Sequence, residues 1–105
     1  MEAESLMLVI ATYDVTARRT EVFRTLLSRY LTHEQNSVFA GLITKSDLKD
    51  MKKALSEASR PGDKFLVVVA ANRHNVDVKR LEKNRDNGAL TETHPDSLVD
   101  KSVVI

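Results

Sequence analysis

Two runs of the chain are apolar with few breaks, Leu6 to Ala11 and Phe65 to Ala71. Each is too short to cross a bilayer, and their Leu, Val and Ile content predicts strands buried on both faces. The first run continues through Thr12 and Tyr13 and delivers Asp14 to a polar edge. Between the runs the period changes twice. Val22, Phe23, Leu26, Leu27 and Tyr30 fall at helical spacing and predict one apolar helix face. Residues 32 to 43 then alternate, with Gln35, Ser37, Phe39 and Gly41 on one side and Asn36, Val38, Ala40 and Leu42 on the other, which predicts one strand or two joined at a bend. Leu48, Met51, Leu55 and Ala58 form the buried stripe of a second helix.

The punctuation agrees with this order. Thr16 or Thr20 can cap the first helix through a hydroxyl, and Thr44 to Asp47 matches capping-box spacing for the second. Arg60-Pro61-Gly62-Asp63 is a stop, because Pro61 disfavours helix before it and Gly62 accepts a left-handed turn. Gly41 marks a bulge or a close backbone approach. Val76 to Lys79 alternates and predicts an edge strand, Asn87-Gly88 is a hairpin turn signal, and apolar Ser102 to Ile105 is a late edge or a segment pairing with another chain. Strand, helix, two strands, helix, strand is the order of a ferredoxin-like α+β sandwich (βαββαβ) with both helices on one face and an additional C-terminal edge strand.

With 105 residues and 42% hydrophobic content, the chain has material for one domain with a modest core, so an oligomer would add stability. The absence of cysteine excludes a disulfide framework and thiolate metal sites. Met1 to Ser5 carries two glutamates and no basic segment, which argues against a signal peptide and for a soluble cytoplasmic protein with no membrane partner. A net charge of +1 gives no global attraction to nucleic acid, so any such binding must come from local patches. Arg18, Arg19, Arg24 and Arg29 form one such cluster, and Lys79, Arg80, Lys83 and Arg85 form another; from charge alone, solvated faces of ordinary elements are the favoured reading of both.

Asp14 admits two readings. It caps the turn after the strand, or it binds a hard divalent cation whose phosphate ligands also engage Arg18 and Arg19. One carboxylate rarely holds a catalytic metal, and no other Asp or Glu stands in the same turn. A two-fold dimer would supply a second Asp14. His33, His74 and His94 lack metal-ligand spacing, and the sequence has no nucleophile elbow, phosphate-binding glycine loop or zinc pattern.

Leu8 to Asp14, running on into Val15, together with Gln35-Asn36-Ser37-Val38-Phe39-Ala40-Gly41 one helix later, resembles the CRISPR-associated protein 2 family, over Met7 to about Leu81. The resemblance implies a homodimer with a ferredoxin-like core over 1–81 and an extension over 82–105 for dimer or partner contacts. It also implies a role in CRISPR adaptation, with the dimer binding spacer duplex DNA and the CRISPR-associated protein 1 integrase. A Mg²⁺-dependent endonuclease activity on single-stranded RNA or double-stranded DNA goes with that family. Asp14 then becomes the catalytic metal ligand, Arg18 and Arg19 the phosphate contacts, and Tyr13, Ser37 and Phe39 the supporting motif residues. The alternative on the same fold is a stand-alone toxin-type endoribonuclease of the related virulence-associated family.

Overall fold

A computed structural model of the chain describes residues 5–72, 74 and 76–95. Its elements are β1 (Leu6–Asp14), a 3₁₀ turn (Ala17–Arg19), α1 (Thr20–Leu27), β2 (Thr32–Gln35), β3 (Val38–Thr44), α2 (Lys45–Ala58), β4 (Lys64–Ala70), β5 (Arg80–Lys83) and β6 (Leu90–Thr93). The first four strands form one sheet in the order β2-β3-β1-β4. β1 is therefore an inner strand, antiparallel to β3 from Leu6↔Thr44 to Thr12↔Val38 and to β4 from Leu8↔Ala70 to Asp14↔Lys64. This is the ferredoxin-like arrangement that the order of periodicities predicts.

Because side chains alternate across a strand, β1 has two distinct faces. Met7, Val9, Ala11 and Tyr13 turn toward the helices. There Val9, Ala11, Phe39 and Ile43 of the sheet meet Phe23, Leu26 and Leu27 of α1 and Leu48, Met51 and Leu55 of α2, none more than 8% exposed. Burying a side chain of this size contributes about 1.5–3 kcal/mol, so this layer dominates the stability of the domain. Val22 was expected on the same helix face but is 47% exposed. It sits about 100° around the helix from Phe23, and an eight-residue helix whose Phe23, Leu26 and Leu27 face the sheet leaves it outside the contact.

Residues 32 to 43 form two strands joined by a two-residue turn, with Gln35 opposite Val38 and Asn36 at φ 43°. An asparagine tolerates that left-handed conformation. The irregularity in this pairing lies between His33 and Gln35, while Gly41 meets the close-approach reading: a Cβ there would stand 3.3 Å from Leu31 Cδ2.

Thr44 caps α2 as its spacing predicts, its hydroxyl accepting from the Asp47 amide at 3.1 Å. Neither Thr16 nor Thr20 caps α1 through its side chain. The chain enters α1 through the 3₁₀ turn, closed by the Arg19 amide on the Thr16 carbonyl at 2.9 Å, and the Thr20 hydroxyl donates to the Ala17 carbonyl at 3.0 Å.

The alternation over 76–79 does not become a strand. Pairing starts at Arg80, and β5 pairs with β6 in a separate hairpin rather than along the main sheet, Asn87 and Gly88 lying in its turn. The preceding residues Val78 and Lys79, with Arg80, Leu81 and Pro95, line a cavity with Ile10, Val38 and Ala40, so this segment lies against the sheet face opposite the helices. An Arg80–Glu34 ion pair fastens it. Ser102 to Ile105 lies outside the described residues.

Candidate nucleic-acid and metal site

Asp14 is the last residue of β1 and is exposed. The alternation that buries Tyr13 against the helices turns Asp14 the other way. Tyr13 anchors this end of the strand, its ring 6.2 Å from those of both Phe23 and Phe39, and Phe23 packs edge-on against Phe65 at 4.9 Å. Phe39 is fully buried and also stacks on His33 at 4.7 Å. The motif aromatics thus act as a packed base under the strand tip. Ser37 lies in the turn beyond Val38, whose partner in β1 is Thr12, so Ser37 and Asp14 share one end of the sheet. Lys64 stands opposite Asp14 and places an ammonium-bearing side chain on the same rung.

The two arginines after the strand have different surroundings. Arg18 is exposed at the 3₁₀ turn. Arg19 is turned inward: its guanidinium pairs with the Asp63 carboxylate, donates to the Ala58 carbonyl at 2.7 Å and lies 5.1 Å from the centre of the Phe23 ring. Asp63 also accepts from the Arg60 amide at 2.8 Å. The bond from Arg19, then that from Arg60, holds the Asp63 carboxyl below the usual carboxylate range. The sequence marks Asp63 only as the end of a Pro-Gly stop; its pairing partner lies 44 residues away, and no local pattern announces such a contact.

The structure therefore brings Asp14, Arg18, Ser37 and Lys64 to one sheet end, with Tyr13, Phe39 and Arg19 beneath or beside them. A carboxylate oxygen is a suitable ligand for Mg²⁺, which keeps several waters and is usually held by one or two carboxylates plus substrate phosphates. Among the described residues no group of three or more His, Cys, Asp or Glu side chains could hold a metal. One chain fits such an ion in donor type, and offers one carboxylate toward it.

An antiparallel four-stranded sheet under two helices, carrying a carboxylate at the free tip of an inner strand and an arginine in the following turn, defines a small ferredoxin-like α+β protein. The chain belongs to the Cas2 family: the family model described as CRISPR associated protein Cas2 matches residues 7–78. It is 41% identical over 71 residues to the CRISPR-associated endoribonuclease Cas2 of Haloferax volcanii, covering 68% of this chain and 83% of that protein. It is 31% identical over 81 residues to CRISPR-associated endoribonuclease Cas2 2 of Archaeoglobus fulgidus, covering 74% and 88%. A solved structure described as a crystal structure of cas2 superposes with a TM-score of 0.68 at 30% identity, over 78% of this chain and 93% of that one. The resemblance carried by Thr12-Tyr13-Asp14-Val15 and the Gln35 to Gly41 segment is thereby borne out, and the protein is part of the CRISPR machinery. Among the described residues no helix is long and apolar enough to cross a membrane.

Proposed function

We propose that this protein works as a homodimeric, nucleic-acid-binding adaptor of CRISPR spacer integration in the cytoplasm, with a slow Mg²⁺-dependent endonuclease activity centred on Asp14. The observation that carries this reading is the exposed carboxylate at the end of an inner strand, set beside Arg18, in a chain that matches proteins named endoribonuclease Cas2. Two features support the dimer. Leu66 and Val68, on the sheet face away from the helices, are 65% and 50% exposed, more apolar surface than an isolated strand needs to leave in water. A two-fold axis near the strand tips would also set a second Asp14 beside the first, giving the ion two carboxylates in place of one.

In this reading Asp14 and its copy on a second chain would hold the ion, which would supply Lewis-acid polarisation of a phosphodiester and activation of a water nucleophile. Arg18 binds phosphate oxygens through its forked donors. Lys64 lowers the repulsion between the strand tip and an approaching phosphate, and Arg19 keeps the 3₁₀ turn in place so that Arg18 points outward. RNA is the substrate suggested by the relatives' names, and the single-stranded form is what the family resemblance implies; duplex DNA is the ligand of the adaptor role. The extension over 82–105 serves dimer or integrase contacts, a role that exposed Leu90 on the β5–β6 hairpin supports.

The test is Asp14→Ala, purified in parallel with the unaltered chain and assayed for RNA cleavage across a Mg²⁺ titration. Cleavage should fall to background while nucleic-acid binding and oligomeric state persist. Equal cleavage by the variant would remove Asp14 from the chemistry.

A further inference from the structure

α2 carries four lysines and three carboxylates after its cap, close to neutrality; Lys53 stands beside Asp50 and Glu57 around the axis, but the other three lysines are set apart from the carboxylates. At about 100° per residue, Lys45, Lys49 and Lys52 fall within about 60° of one another. Asp47, Asp50 and Glu57 centre about 150° away. An ordinary solvated helix gains from alternating charge at three- and four-residue spacing, whereas Lys45, Lys49 and Lys52 set like charges at those spacings, which repel along the helix. All three lysines are exposed, and among the described residues none makes an ion pair. They line an open cavity of about 400 Å³ with Ser46 and with Leu48, which is 7% exposed and forms its apolar floor.

The row spans about 10 Å along the helix. It begins beside the start of β1, since Thr44 pairs with Leu6, and so stands about 25 Å from Asp14 at the other end of that strand. It is a separate surface from the strand tip. Three mobile ammonium groups in a line, with no forked donor and no stacking aromatic among the lining residues, suit a series of backbone phosphates read as point charges rather than bases or a single carboxylate.

We propose that the Lys45–Lys49–Lys52 face of α2 is a second nucleic-acid contact surface, which binds the sugar–phosphate backbone without regard to base sequence. The inference rests on the nucleic-acid-binding reading above and extends it to a face remote from Asp14.

The experiment measures binding of a short fluorescent single-stranded RNA and of a blunt DNA duplex as a function of salt. It compares the unaltered chain with Lys45→Gln/Lys49→Gln/Lys52→Gln and with the corresponding triple Lys→Arg variant. Each lost phosphate contact removes about 0.9 from the slope of log affinity against log salt on duplex and about 0.7 on a single strand, so the Gln variant should lose about 2–3 units of slope. The Arg variant and an Asp50→Asn/Glu57→Gln control should lose none. A fall with one probe only assigns the surface to that nucleic acid. An unchanged slope in the Gln variant, while the unaltered chain binds, overturns this proposal alone; failure of the unaltered chain to bind either probe overturns the underlying reading with it.

Discussion

Arg19 and Asp63 form an ion pair that ties the turn after β1 to the turn before β4. The two strands are neighbours whose last rung is Asp14 opposite Lys64, so the pair closes the sheet just beyond the candidate site. Both partners are largely shielded, at 14% and 6% side-chain exposure, and the same guanidinium holds the Ala58 carbonyl at the end of α2. One side chain thereby joins β1, α2 and β4.

This pair predicts an acid-sensitive contribution to stability. The folded Asp63 carboxyl titrates below its ordinary value of 3.8, first through the hydrogen bond from Arg19 and then through that from the Arg60 amide. A depressed carboxylate stabilises the fold fully above the unfolded value and loses that contribution as pH falls through the folded one. Asp63→Asn should therefore melt below the unaltered chain near neutrality, and the gap should close as pH drops below 3.8. Thermal melts of the two proteins across that range check it. A gap that stays constant into acid would mean that the Asp63 charge does not contribute.

Gly41 predicts a steric limit. Its Cβ position lies 3.3 Å from Leu31 Cδ2 and 3.6 Å from Leu31 Cα, and Leu31 is 5% exposed, so the side chain has little room to withdraw. Gly41→Val should lower stability by about 1–3 kcal/mol, the range for overpacking a filled interior. Denaturant unfolding would show it as a lower midpoint with an unchanged slope.

How much of this was legible in the sequence depended on the range of the interaction. Periodicity is local, so the strands β1 and β4, the stripe of α2 and the Thr44 cap could all be read from neighbouring residues, but not that β4 stands at the sheet edge with Leu66 and Val68 exposed instead of buried on both faces. Val22 shows where that stops. It belongs to the helical pattern, but which part of the pattern meets the sheet depends on how α1 docks. The hairpin of β5 and β6 shows a second limit, since Val76 to Lys79 alternates more cleanly than Arg80 to Lys83 and only pairing with residues 90–93 selects the later segment. At the site, Asp14 and Arg18 could be picked out from their place after an apolar run. The inward turn of Arg19 could not, because it depends on Asp63 and on a carbonyl at the end of another helix.

The last prediction concerns the dimer. In β4, Leu66 pairs with Thr12 and Val68 with Ile10, so both stand on the face of β1 that carries Asp14 rather than on the helix side. An isologous contact through this face presents each residue twice. Leu66→Glu/Val68→Glu would then bring four added carboxylates together, and like charges forced into an apolar contact disfavour it strongly. Both positions are at least half exposed in the single chain, so the fold itself should change by only about 0.5 kcal/mol, as for other surface substitutions. Sedimentation should show a dimer for the unaltered chain and a monomer for the double variant. RNA cleavage should fall with dissociation although Asp14 is untouched, whereas Asp14→Ala should lose cleavage and keep the dimer. A folded monomer that still cleaves at the full rate per chain would show that one Asp14 suffices.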